Sequence, residues 1–204
     1  MKKNPCWTGE HRTIRPKGIM VHSTAEPGKR AKEWYDEWNR SVADGGKEVS
    51  VHAFVDDKDI YEYLPWERRA WHCGRAYTGG PTCNDTHISI EMCEPLSIVY
   101  DDEHKKIVSY DPADPENKRY FANALKNMVD LCAYLVEKFD IKIENVICHA
   151  EGFRQGKASN HADVEHWWPL HGVTMDMFRQ MVDDAVQGKP VTYEFNGEGK
   201  FVKY

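Results

Sequence analysis

Gly18-Ile-Met-Val-His-Ser-Thr24 is a run of apolar and β-branched residues that ends on a histidine and two hydroxyls. The composition predicts a buried strand over Gly18–Thr24. Two further runs have the same form. His87-Ile-Ser-Ile-Glu-Met-Cys93 holds Glu91 between Ile90 and Met92, and Asn145-Val-Ile-Cys-His149 ends on His149. A buried strand that stops on a polar side chain delivers it to the crevice at the end of a sheet, where α/β proteins place their ligands.

The segments between these strands fix the fold class. Ala31, Trp34, Tyr35 and Trp38 recur at helical spacing, which predicts an amphipathic helix over Ala31–Val42, broken at Asp44-Gly45-Gly46. Val49–Val55 and Ile60–Leu64 flank Asp56-Asp57-Lys58-Asp59 and read as a hairpin. Ile98–Tyr110 reads as a polar, irregular excursion. A long helix is expected from about Asn117 to Phe139, on the stripe Phe121, Leu125, Met128, Cys132, Leu135 and Phe139. Thr174 reads as the N-cap of a last helix reaching about Val186. The pattern predicts an α/β protein, a central mixed β-sheet flanked by helices with a cleft at one strand-end edge. Gly188-Lys-Pro190 then opens a polar stretch, so residues 1–187 form the expected domain and 188–204 a C-terminal tail or terminal strand.

The polar residues at the strand ends suggest a chemistry. His22 and His149, with a carboxylate such as Asp163 on a later polar loop, supply the three protein ligands of a catalytic zinc site whose fourth position is left for water. His161, two residues before Asp163, is the other candidate for third ligand if Asp163 instead orients it. In an extended segment the two side chains would point the same way. Glu91 is costly in an apolar strand unless it serves a site, and a carboxylate there could accept the proton of an attacking water. Glu94, at the strand end, is the weaker candidate. Trp71, His72 and His52 are candidate substrate-binding residues, within a softer group that includes Trp66, Trp167 and Trp168. His11, His104, His166 and His171 read as structural or solvated. Cys148 beside His149 is poorly placed for thiol catalysis, because neighbours on a strand face opposite ways.

Composition bounds the alternatives. The 204 residues carry a net charge of −6 with both signs interspersed, which argues against a nucleic-acid partner. No apolar stretch approaches the length of a membrane span. Met1-Lys-Lys-Asn-Pro-Cys-Trp7 has no apolar core behind its basic start, so no Sec signal peptide is expected. The six cysteines are scattered through apolar runs and read as free buried thiols, with Cys73 and Cys83 the one pair close enough to consider for a disulfide.

Five stretches together resemble the zinc-dependent N-acetylmuramoyl-L-alanine amidases of the amidase-2 type. They are Val21-His-Ser-Thr24, Ser50-Val-His-Ala-Phe-Val-Asp-Asp57, Arg69-Ala-Trp-His-Cys-Gly74, Ile88-Ser-Ile-Glu-Met-Cys-Glu94 and Val146-Ile-Cys-His-Ala-Glu-Gly152. The run Ala158-Ser-Asn-His-Ala-Asp-Val-Glu-His-Trp-Trp-Pro169 is similar to the phage and prophage endolysin subgroup. The resemblance spans roughly residues 15–186. It implies Zn2+ on His22, His149 and Asp163, Glu91 as the residue that handles the water proton, and His161 as the donor that steadies the tetrahedral intermediate. It implies a peptidoglycan substrate, cut between N-acetylmuramic acid and L-alanine, and leaves the oligomeric state open. Without a Sec signal, the expectation is synthesis in the cytoplasm and action on the cell wall, after release through a holin or export by a non-classical route. A binding module of the same fold that has lost catalysis, and a zinc deacetylase or peptidase acting on another cell-wall amide, are the competing readings.

Overall fold

Residues alternate cleanly along the first strand, and that alternation divides the molecule into two layers. In the computed structural model, which describes residues 12–38, 49–103, 106–190 and 193–202, β1 covers Gly18–Ser23 and is buried throughout. Ile19 and Val21 belong to the large hydrophobic core, while Met20 faces the other side, against Cys73, Cys83, Ile147 and Ala158. His22 shares the Met20 face. The large core also takes Ile88, Ile90 and Met92 of β4 (His87–Met92) and Ala53 and Val55 of β2 (Ala53–Val55). Two helices cover that face, α2 (Pro115–Phe139) and α4 (Met175–Val186), packed on one another.

Both helices are specified locally. Asp114 caps α2 by accepting the N–H groups of Glu116 at 2.8 Å and Asn117 at 3.1 Å, with Pro115 in the first turn. Its buried stripe includes Phe121, Leu125, Met128, Cys132 and Leu135. Thr174 caps α4 by accepting the N–H of Met177.

The central sheet has the order β3-β2-β4-β1-β7, with β3 at Ile60–Glu62 and β7 at Val146–Cys148. β2, β4, β1 and β7 run parallel, and only β3 is antiparallel, returning from β2 through Asp56–Asp59. Four parallel strands therefore end along one edge of the sheet. Gly18 permits this packing, since a Cβ there would lie 2.7 Å from the Asn145 carbonyl oxygen and 2.5 Å from the His87 ring.

On the second face lies α1 (Ala31–Trp38), whose Trp34 stacks on Phe54. Asp56 anchors its start, accepting Ala31 N–H and the Arg30 guanidinium at 3.0 Å each. The expected helix end at 39–42, the Asp44-Gly45-Gly46 break, His11, His104 and Cys6 lie outside the described residues.

Three features differ from the sequence reading. Ile98–Tyr110 contains a small antiparallel pair, β5 (Val99–Tyr100) and β6 (Ile107–Ser109). A short helix, α3 (His149–Arg154), starts directly after β7, so His149 opens a helix as well as ending a strand run. The C-terminal stretch folds back as a hairpin, β8 (Glu194–Phe195) with β9 (Phe201–Val202). Phe195 and Phe201 pack on the main core, and Gly199 C=O accepts a hydrogen bond from His171 Nδ1 at 2.9 Å. The five described cysteines are all free and buried, Cys73 and Cys83 included.

Candidate metal centre

His22 and Glu91 are register partners on adjacent parallel strands, so both side chains leave the same face of the sheet. Val21 pairs with Cys148 on the other side, which places His149, the next residue, beside His22. The third member comes from the loop after α3. Asp163 opens a 3-10 turn (Asp163–His166) with φ +48°, a left-handed conformation that aspartate tolerates better than most side chains. This backbone reversal aims the carboxylate at the histidines. His161 and Asp163 therefore do not converge by lying in an extended segment, as their spacing suggested.

The geometry of the three is tight. His22 Nδ1 lies 3.1 Å from Asp163 Oδ1 and 3.2 Å from His149 Nδ1, and His149 Nδ1 lies 3.1 Å from Asp163 Oδ2. The corners of a tetrahedron around a cation with bonds of about 2.0–2.1 Å stand about 3.3 Å apart. The three contacts are close to that edge, and a metal ion could sit among the two imidazole nitrogens and the carboxylate, whose ligand atoms lie within 4.8 Å of one another. His22 and His149 are each 1% exposed.

Electrostatics point the same way. Burial lowers the pKa of His22 and keeps its imidazole neutral, despite the neighbouring Asp163 carboxylate. Burial alone would raise Asp163, but the facing imidazoles of His22 and His149 outweigh it and hold the carboxylate ionised. Asp163 Oδ2 approaches His149 off the direction of a hydrogen bond and has no donor among the described residues. Two imidazole nitrogens and an ionised carboxylate, gathered around one point with too few protons to share, call for a cation.

The outer nitrogens of the two histidines are held from behind. His22 Nε2 lies 3.0 Å from His72 Nδ1, and His149 Nε2 lies 3.3 Å from Ser159 Oγ, which in turn donates to the Cys73 carbonyl at 3.2 Å. Metal-binding histidines are oriented by partners of this kind.

Around the cluster opens a cleft of about 590 Å3. Glu91, His161, Trp71 and His72 line it, with Trp34 and Trp38 along one wall. Glu91 Oε2 is buried without a hydrogen-bond partner among the described residues. Burial raises its pKa above the ordinary glutamate value and so makes it a stronger proton acceptor, helped by the charges of Asp163 and Glu94. His161 is exposed, its ring 4.7 Å from that of His149.

Other candidates fall elsewhere. His52 does not reach the cleft. It is fully buried, accepts the Ser89 N–H on Nδ1 at 2.9 Å and donates Nε2–H to the Arg68 carbonyl at 2.8 Å. Its role is to tie Arg68 to β4. Trp66 stacks on it, and Trp167 and Trp168 are core residues. Glu94 is consumed by structure, accepting from Ser23 Oγ, from Ala25 N–H at 3.2 Å and from Tyr100 OH at 2.8 Å. His166 and Tyr100, in contact with one another, line the cleft, although His166 read as structural and Tyr100 sat in a stretch with no pattern. Nothing in the spacing of Tyr100 distinguishes it; only the β5–β6 pairing brings it to the site.

The family model for N-acetylmuramoyl-L-alanine amidases of the amidase-2 type matches residues 12–166, a span that contains the whole cluster. The chain belongs to this family. This amidase-family chain is 37% identical over 188 residues to the N-acetylmuramoyl-L-alanine amidase CwlL of Bacillus licheniformis, covering 86% of this chain and 43% of that protein. It spans about half the length of the curated relatives it matches. Among solved structures, PlyL superimposes with a TM-score of 0.62 at 27% identity, over 87% of this chain and 90% of that one. The PlyG catalytic domain gives the same TM-score at 25% identity, over 89% of each.

Proposed function

We propose that this chain is a zinc-dependent peptidoglycan hydrolase that cleaves the amide between the lactyl group of N-acetylmuramic acid and L-alanine. The observation that carries the reading is the triangle of His22, His149 and Asp163 atoms, with Glu91 in register beside His22. Family membership supplies the substrate class. Two imidazoles and one carboxylate favour zinc, leaving a fourth position open to solvent in the cleft.

Zinc bound there would supply a Lewis acid for the scissile carbonyl and acidify the attacking water. Glu91 takes the water proton and returns it to the leaving amine of L-alanine. Its unpartnered, buried Oε2 suits that duty, because no donor among the described residues occupies the lone pair that must take the proton. His161 donates an N–H to the oxygen that gains charge. Trp71, exposed and with the Arg69 guanidinium 4.3 Å over its ring, and His72 with its polar edge border the bound glycopeptide. Residues 1–187 carry the catalytic unit, with the C-terminal hairpin packed on it. The protein acts on the cell wall, and no described helix is long and apolar enough to cross a membrane.

Digestion of purified peptidoglycan followed by mass spectrometry tests the assignment. New L-alanine amino termini without new reducing sugar ends are expected. New reducing ends, or cleavage within the stem peptide, would overturn it.

A further inference from the structure

His72 occupies an unusual position. Its ring meets that of His22 edge-on, with centroids 5.1 Å apart, and its Nδ1 stands 3.0 Å from His22 Nε2. Its other nitrogen, Nε2, is buried without a partner among the described residues, and the residue lines the cleft. The backbone that carries it is fixed. Asn84 Oδ1 accepts the N–H groups of His72 at 2.8 Å and Cys73 at 3.1 Å, and Asn84 Nδ2 donates to the Gly74 carbonyl at 3.1 Å. One buried asparagine thereby clamps three consecutive residues, 72–74, around the ring.

The proton arrangement follows from the metal reading, on which this inference rests. A cation on His22 Nδ1 leaves the ring proton on Nε2. His22 Nε2–H then donates to His72 Nδ1, and His72 must carry its own proton on Nε2. That second N–H is the buried polar group with no partner. We propose that His72 is a positioning residue with two ends: Nδ1 holds His22 in its metal-binding orientation, and Nε2–H waits in the cleft for an acceptor oxygen of the substrate, such as an amide carbonyl. Metal and substrate would then be linked through one imidazole.

The two ends separate by substitution. Asparagine places an oxygen close to where Nδ1 lies but cannot reach the Nε2 position. Phenylalanine keeps the ring volume and removes both nitrogens. Zinc affinity is measured by competition with a chromophoric chelator, on intact chains whose metal-free melting temperatures are compared first. H72F should bind zinc roughly 10–100-fold more weakly, the usual loss when a partner of this kind is removed. H72N should keep its affinity within a few-fold of the parent and raise KM severalfold. If the phenylalanine ring is not accommodated, H72A gives the same contrast with H72N. Parental zinc affinity in H72F, or equal losses in H72N and H72F, would overturn the proposal. A parent chain that binds no zinc would instead defeat the metal reading itself.

Discussion

His52 and the His22–His149 pair are buried on the same face of one sheet and differ in how their hydrogen bonds are met. His52 is complete: Nδ1 accepts the Ser89 N–H, Nε2–H serves the Arg68 carbonyl, and nothing is left over. The His22–His149–Asp163 cluster is incomplete: two imidazole nitrogens and both oxygens of one carboxylate meet in contacts of 3.1–3.2 Å and share too few protons. Burial is similar in both. Satisfaction, not burial, distinguishes a histidine that holds the fold from one that awaits a ligand. The same contrast separates two carboxylates only three residues apart. Glu94 is saturated by Ser23, Ala25 and Tyr100, whereas Glu91 keeps a buried oxygen free.

The carboxylate contrast breaks most sharply by mutation. Glu91→Gln keeps the shape and removes the base, so activity should fall roughly a hundredfold or more while zinc stays bound. Steady-state rates and metal content on one preparation decide it. Glu94→Gln should act chiefly on stability, and a dead but stable, metal-loaded Glu94→Gln chain would reverse the two assignments.

His161→Ala should lower kcat by about 10²–10³ with little change in KM, as expected for a donor that acts in the transition state. Burial first, and His149 next, lower the His161 pKa, so its N–H at neutral pH is that of a neutral imidazole. Zinc lost from His161→Ala would make His161 the third ligand and Asp163 its partner.

The complete site makes a smaller, thermodynamic prediction. Burial depresses His52 to about 4, against 6.5 in the unfolded chain. Between those values the unfolded state binds a proton that the native state does not. The contribution of His52 is therefore fully present above about pH 6.5 and lost as the pH falls toward 4, by up to about 3 kcal/mol. His87 and His171, also held near 4, act in the same sense. Denaturant midpoints followed from pH 7 to 4 should fall, and less steeply in a His52→Gln chain. A flat profile would mean that these rings are not held neutral.

Much of this was legible in the residues because strand burial is written in short apolar runs. Gly18–Thr24, His87–Cys93 and Val146–Cys148 match the observed strands closely, and Thr174 does cap the last helix. The sequence also pointed to His22, His149 and Asp163, which the fold gathers into one triangle. What stayed hidden depended on backbone reversal or long-range contact. The left-handed turn at Asp163 leaves no period. Tyr100 reaches the cleft only through a two-residue strand. His52 read as a cleft residue because it fell in a group of aromatic side chains of the kind that line clefts, and only the Arg68 carbonyl, sixteen residues away, shows where its proton goes.

The proposed function stands or falls on a cation held by the incomplete cluster, which could hold a metal ion. Elemental analysis of protein purified without added metal, beside His149→Ala prepared identically, tests it most directly. About one zinc per chain is expected in the parent, and most of it should be lost from the variant, because two protein ligands rarely hold zinc tightly. Full zinc occupancy in His149→Ala, or a parent chain that takes up no zinc even when it is offered, would contradict the account.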